Sequence, residues 1–430
     1  MGSAVRSDGF ELRPFSAIWH KGKVTVHPIQ IRIKTTMAPG DIVLPSRLEK
    51  DQDIYDQVLD EVRIPVRRKW WQSGHKQPRR KAWSPSVHAE DAPLSPPPTP
   101  FDMDPAHAFD RVSEAYDLPL LSKTRLVVVG AGGAAAFLDD IVRTGVGQLV
   151  LIDPDTIGAP NIGTQQVYLD DLGEPKVEVL KERLLRINPD LIIETRQVLL
   201  DDLDDAAFRE LACEKLQRKI PSQTLICGFT DSFPAQARIN RLALQLGLPS
   251  ICAQVYREGR GAEVTFTHPK VTPACHRCAL GPRYRWYLEE GHENDVTSHQ
   301  TPIFATTRLN ALKGFITLAL LHHRSDHPRW GGLLERMADR NLVQLRLDPD
   351  FASTMSIGIF DRTFERADRN RLFFDDVVWL AQEPECEETG FPPCPECGGE
   401  GDLSKVMSTI EDTRPMPGLK EKKDAAVHRR

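Results

Sequence analysis

The feature that most narrows the folds open to this chain is a short apolar run, Leu126-Val-Val-Val129, that runs straight into Gly130-Ala-Gly-Gly133. A helical pattern then spans Ala134 to Thr144, and a second apolar run, Gln148 to Ile152, ends in Asp153. The alternation continues with a helix over Lys176 to Ile187, a strand over Ile192 to Val198, a strand over Thr224 to Cys227 and a helix over Ala235 to Leu246. Strand, helix, strand in this order implies right-handed crossovers and a parallel sheet. The expected fold is therefore α/β, with a Rossmann-like, mainly parallel sheet. Glycines between strand and helix let the backbone turn tightly and approach a phosphate, while the free amides of the helix start supply donors and partial positive charge. Asp153, closing the second strand, stands where an acidic side chain holds ribose hydroxyls. On these features alone the first reading is the dinucleotide site of an NAD-dependent oxidoreductase. A tight strand–helix turn without a ligand is the other.

The length of 430 residues implies two or three domains at roughly 150 residues each. A net charge of −6 gives no global bias toward nucleic acid. No run of about 18 apolar residues occurs, and the start lacks the apolar stretch of a secretory signal, so a cytoplasmic protein is expected. Residues 1–90 read as a separate small N-terminal domain, with strands at Phe15–Trp19 and Lys23–Lys34 and a helix over Asp51 to Val62. A basic stretch from Arg67 to Lys81 holds Trp70 and Trp71. It reads as a solvated loop, with stacking on a partner as the alternative. Residues 91–108, around Ser95-Pro-Pro-Pro-Thr-Pro100, form a stiff Pro-rich linker. The α/β pattern fills 109–325, a weaker pattern fills 326–410, and the charged residues 411–430 read as a disordered tail.

Eight cysteines are too few for a disulfide scaffold, and four of them form Cys-x-x-Cys pairs, Cys275/Cys278 and Cys394/Cys397. Two such pairs suit a closed, tetrahedral, structural zinc site that ties the later chain back to the α/β domain. Cys213, Cys227 and Cys252 fall on sheet-domain elements as core residues, and Cys386 is the one exposed spare. His322 and His323 read as the solvated end of a helix.

The string Gly130-Ala-Gly-Gly133, Arg143-Thr-Gly-Val-Gly147, Asp153-Pro-Asp155 and Asn161-Ile-Gly-Thr-Gln165 resembles the ThiF/MoeB family of adenylating enzymes related to ubiquitin-activating enzymes. Gly173-Glu-Pro-Lys176, Arg186-Ile-Asn-Pro189, Thr230-Asp231-Ser232 and Cys275-His-Arg-Cys278 extend the match in the same order. The resemblance implies an ATP-dependent adenylyltransferase. It would adenylate the C-terminal carboxylate of a ubiquitin-like protein or peptide, giving an acyl adenylate and pyrophosphate. It also implies a homodimer, with residues 1–90 recruiting the substrate or a conjugating partner. Gly130, Gly132, Gly133 and Gln165 would line the phosphates and Asp153 would hold the ribose. Lys176 would neutralise phosphate charge, Asn161 would sit near the triphosphate, and Asp231 would ligate Mg²⁺.

Three departures stand out. Ala134-Ala-Ala136 follows the glycines where the family has a further glycine, Thr164 stands where it has a phosphate-binding arginine, and Ser232 where it has an asparagine. Losing a charge-assisted phosphate contact costs about 1.5–3 kcal/mol. Arg238 or a partner subunit is expected to compensate. A non-catalytic binding protein that keeps the fold and the zinc is the alternative from a different class. The region from Gly291 to Thr301 carries no cysteine, so a thioester step on this chain is not expected.

Overall fold

The computed structural model describes residues 10–12, 15–20, 23–28, 31–33, 107–291, 300–347 and 376–414. Two compact units result, Met1–Pro97 and Pro98–Arg430. In the first, β1 (Phe10–Leu12) pairs antiparallel with β4 (Ile31–Ile33), and β2 (Phe15–His20) with β3 (Lys23–Pro28). The single strand expected over Lys23 to Lys34 is thus two. Pro28 has no N–H to continue the ladder and stands opposite Phe15 at its end. The helix expected over 51–62 and the basic stretch with Trp70 and Trp71 lie outside the described residues.

The second unit is built on β5 (Thr124–Val129), β6 (Gln148–Ile152), β7 (Ile192–Arg196), β8 (Gln223–Gly228) and β9 (Ser250–Val255), which pair in parallel in the order β7-β6-β5-β8-β9. Both faces of the central strands are covered, which is why they read as unbroken apolar runs. Leu126 and Val128 pack toward α1 (Ala135–Val142), α2 (Lys176–Leu185) and α5 (Ile303–Leu321). The alternate residues, Val127 and Val129, pack toward α3 (Asp205–Cys213) and α4 (Phe233–Leu246). Fully burying each such side chain is worth about 1.5–3 kcal/mol.

Three antiparallel strands extend the same sheet to eight: β10 (Gly261–Thr267), β11 (Leu342–Arg346) and β12 (Asp376–Leu380). They were hidden in the sequence because polar side chains are buried among them. Glu263 is 3% exposed, paired with Arg283 at 2.7 Å, and accepts hydrogen bonds from Tyr256 Oη and Gln344 Nε2.

Two further expectations are corrected. The tail does not leave the fold at residue 411. Thr413 is buried, and its N–H and hydroxyl both donate to the Asp205 carboxylate of α3. His322 is not a solvated helix end either. It is fully buried against Trp330, its Nδ1 donates to the Leu318 carbonyl, and its Nε2 accepts from the Asp117 N–H. Among the described residues no helix is long and apolar enough to cross a membrane.

Candidate functional site

The carboxyl ends of β5, β6 and β8 open into a cavity of about 1020 Å³. Its lining includes all eight of the site residues expected from the motif string: Gly130, Gly132, Gly133, Asp153, Asn161, Gln165, Lys176 and Asp231. Each reaches it by a local rule. Gly130 has φ +86°, and a Cβ there would lie 2.6 Å from the Phe229 carbonyl oxygen, so only glycine lets the chain leave β5 against β8. At Gly132 a Cβ would lie 2.6 Å from Gln165 Oε1. The amides of Gly132 and Gly133 therefore stand at the cavity rim without a side chain in the way.

Asp153 is 5% exposed and braces this loop: its Oδ2 accepts from the Ala131 N–H at 2.7 Å and its Oδ1 from the Asp155 N–H at 3.0 Å. Lys176, at the start of α2, is 7% exposed and pairs with Asp155 at 2.8 Å. Asp155 itself is 61% exposed, so the pair is open to water and weak, and an incoming anion can share the ammonium. Asn161 Oδ1 accepts from the Gly158 N–H at 2.8 Å, a cap that fixes the turn carrying Thr164 and Gln165. Gln165 Oε1 is buried without a hydrogen-bond partner among the described residues. Ser232 caps α4 by accepting from Ala235 N–H at 3.4 Å, which sets Asp231 just before the helix start. Ala134, Ala135 and Ala136 do not line the cavity, and the first two are core residues.

Arg238 does not compensate for Thr164. Its guanidinium is fully buried and spent on the Leu200 and Leu203 carbonyls, both at 2.6 Å, and on Asp201 and Asp205 at 3.2 Å. Sequence reasoning missed the cavity residues on α5, Thr306, Leu309, Asn310 and Lys313, of which Asn310 and Lys313 carry the buried polar groups. Their only signal was an amide and a lysine inside a helix that is otherwise apolar toward its end. Among the described residues, no cysteine lines the cavity.

A second cluster sits apart from the cavity. Cys275, Cys278, Cys394 and Cys397 bring their sulfurs within 4.8 Å of one another, a set that can hold one metal ion. Cys275–Cys278, Cys275–Cys394 and Cys278–Cys397 are 3.8, 3.9 and 3.6 Å apart. Gly398 and Gly399 turn the second knuckle with φ +75° and +69°, and the Glu385 N–H donates to Cys278 Sγ at 3.4 Å. Glu396, between the second pair, is 4% exposed and bound by Asn240 Nδ2 at 2.7 Å and Arg241 at 3.3 Å, which locks the knuckle onto α4. Of the remaining thiols, Cys227 and Cys252 are buried, and burial pushes the latter up to about 12. They are core residues, as expected, while Cys213 and Cys386 are half-buried.

Comparison with known proteins agrees with the motif string. Residues 107–312 match the model of the ThiF family. The molybdopterin-synthase adenylyltransferase of Escherichia coli is 31% identical over 160 residues, covering 37% of this chain and 59% of that protein. The sulfur carrier protein adenylyltransferase of Thermus thermophilus is 31% identical over 163 residues, covering 37% of this chain and 56% of that protein. The chain thus spans less than two thirds of the curated relatives it matches. A solved structure of E. coli MccB with ATP is 18% identical, with a TM-score of 0.40, covering 53% of this chain and 62% of that one. The glycine loop, Asp153, Lys176 and Asp231 all lie within residues 107–312, the segment that matches the ThiF family model.

Proposed function

We propose that this chain is an ATP-dependent adenylyltransferase that activates the C-terminal carboxylate of a ubiquitin-like protein or peptide. The observation that carries the reading is that eight motif residues, scattered from Gly130 to Asp231, line a single cavity. The names of the two adenylyltransferase relatives support it.

The chemistry asks little of acids or bases. A carboxylate is ionised at pH 7 and attacks the α-phosphorus of ATP directly. A carboxyl oxygen–phosphorus bond forms, the bond to the bridging oxygen breaks, and pyrophosphate leaves with that electron pair. Positioning and charge neutralisation supply the acceleration. The loop amides at Gly132 and Gly133 and the start of α1 would face the phosphates, Lys176 would share its ammonium between Asp155 and a phosphate, and Asp153 would reach the ribose. Asn161 and Gln165 would border the phosphate chain. Mg²⁺ takes hard oxygen ligands, which Asp231 and the nucleotide phosphates offer, and when bound it would neutralise phosphate charge.

The cysteine cluster would hold structural Zn²⁺. A tetrahedral shell with zinc–sulfur bonds of about 2.3 Å spaces its sulfurs about 3.8 Å apart, and the three separations given above, 3.6–3.9 Å, fit. Thiols kept reduced for this purpose point to the cytoplasm. Residues 1–90, outside the family match, would recruit the substrate or a conjugating partner, and the working form would be a homodimer.

The products distinguish this reading from others. Incubation with ATP, Mg²⁺ and a carboxylate substrate gives the acyl adenylate and pyrophosphate, whereas ADP and phosphate would overturn it. ATP binding without any turnover would favour the non-catalytic reading, which Thr164 in place of a basic residue supports. An NAD-dependent oxidoreductase leaves Lys176, Asp231 and the four thiols without roles.

A further inference from the structure

Helix α5 carries one lysine, Lys313, on a mostly apolar buried side that includes Leu309, Ile316, Leu318 and Leu320 beside Asn310 and Thr317. Lys313 is 3% exposed, and the part that escapes burial lines the nucleotide cavity. Its Nζ lies 4.0 Å from the centre of the Phe229 ring and 5.3 Å from that of Phe137. The backbone of Phe229 is the surface against which Gly130 turns. One helical turn earlier on the same face, Asn310 Nδ2 donates to the Gly133 carbonyl at 3.4 Å, and Asn310 Oδ1 is buried without a partner among the described residues. α5 therefore brings an ammonium group, two aromatic faces and an unanswered amide oxygen to the glycine loop.

No carboxylate among the described residues forms an ion pair with Lys313. Of the titratable groups packed on it, Cys227 of β8 is the one that acts on its charge. The same cavity is lined elsewhere by Asp153, Asp155, Lys176, Asp201, Asp202 and Asp231. Burial pushes the lysine down to about 7. A desolvated ammonium with only aromatic faces for company destabilises a fold. A methionine would fill the same space without that cost. An arriving anion supplies the missing counter-charge, and the cavity is the route by which one arrives.

We propose that Lys313 is a phosphate-binding residue of the cavity, supplying to the nucleotide's phosphate chain the positive charge that Thr164 does not. The proposal rests on the nucleotide reading above. Thr164 offers only a hydroxyl, turned to the Pro160 and Asn161 carbonyls, and Arg238 is occupied elsewhere. Among the described residues, Lys176 and Lys313 are the two basic residues that line the cavity. They come from α2 and α5, so an anion between them is held from separate elements.

Isothermal titration of the full chain with ATP, adenosine and inorganic tripolyphosphate decides it. The comparison is between the wild type, Lys313→Met, Lys313→Gln and Lys313→Arg. Both neutral variants should lose about tenfold or more in affinity for ATP and for tripolyphosphate, bind adenosine unchanged, and melt no lower than the wild type. The Arg variant should retain most of the affinity. Equal losses for ATP and adenosine, or no loss for either phosphate ligand, would overturn the proposal. The Gln variant keeps the test valid where the Met variant fails to fold. Lys313-dependent binding of tripolyphosphate by a wild type that takes neither ATP nor adenosine would sink the nucleotide reading and leave the anion site standing. A wild type that binds none of the three sinks both.

Discussion

The two candidate sites of the α/β unit differ in how far their buried polar groups are satisfied. Around the four cysteines most polar groups are answered from within: Glu396 by Asn240 and Arg241, Cys278 by the Glu385 amide, and His276 Nδ1 by the Tyr284 hydroxyl, with His276 Nε2 left without a partner among the described residues. Around the glycine loop Asp153 is answered by backbone amides, but Gln165 Oε1 and Asn310 Oδ1 have no partner among the described residues, and Lys313 lies against ring faces. Buried polar groups that are satisfied internally hold a structure together, while unsatisfied ones cost stability that a ligand returns. The contrast assigns architecture to the cysteine end and ligand chemistry to the glycine end.

The largest effect should come from breaking the cysteine end. Cys394→Ser removes one of four ligands, and a closed site contributes its metal-binding free energy to folding. Bound zinc should fall from one per chain, and the melting temperature should drop by ten degrees or more. A variant that keeps its melting temperature would show that the cluster is not structural. The reverse pattern is expected at the other end. Asp231→Ala should cut pyrophosphate exchange by about a hundredfold or more while leaving the melting temperature near that of the wild type.

A smaller effect sharpens the glycine end alone. If Lys313 does the work of the absent arginine, Thr164→Arg placed in the Lys313→Met background should recover about tenfold in tripolyphosphate affinity, the worth of one charge-assisted contact. No recovery would separate the two positions. The smallest effect is a slope with pH. Anion binding favours the charged lysine and raises its pKa above the value of about 7 in the free protein. Affinity is therefore fully present below that value and falls as pH rises, by at most about tenfold per unit, until the bound-state value is passed. Lys313→Met should flatten this slope, and subtracting its profile removes the titration of the ligand itself. Identical profiles for the two proteins would contradict the role.

Four of the five parallel strands were legible, the central ones because they are buried on both faces and read as apolar runs, while the fifth, β9 (Ser250–Val255), was not read. Gln148–Ile152 has the expected bounds, and Leu126–Val129 lies within Thr124–Val129. The antiparallel half was not legible. Glu263 and Thr265 are buried in β10, and Gln344 in β11, so the apolar signal is broken where partners on distant elements satisfy polar groups. The loop glycines and Asp153 could be named in advance from their place at strand ends, whereas Asn161, Gln165, Lys176 and Asp231 came from the resemblance to the ThiF/MoeB family. Arg238 misled for a physical reason: the carbonyls of Leu200 and Leu203 that consume it belong to a segment remote in sequence. Lys313 escaped notice because nothing local marks a lysine as buried. Its helix continues past the glycine-loop motifs, and only packing against Phe229 and Phe137 reveals its surroundings.

ATP–pyrophosphate exchange by the purified full chain tests the assignment of the glycine end most directly. The assay would use a panel of ubiquitin-like proteins and peptides, each as the free C-terminal acid and as the C-terminal amide. Exchange should appear with one of the acids, stay absent with its amide, and vanish in Asp231→Ala. Exchange that persists with the amide, or an ATP that binds and is hydrolysed to ADP whatever the substrate, would contradict the account.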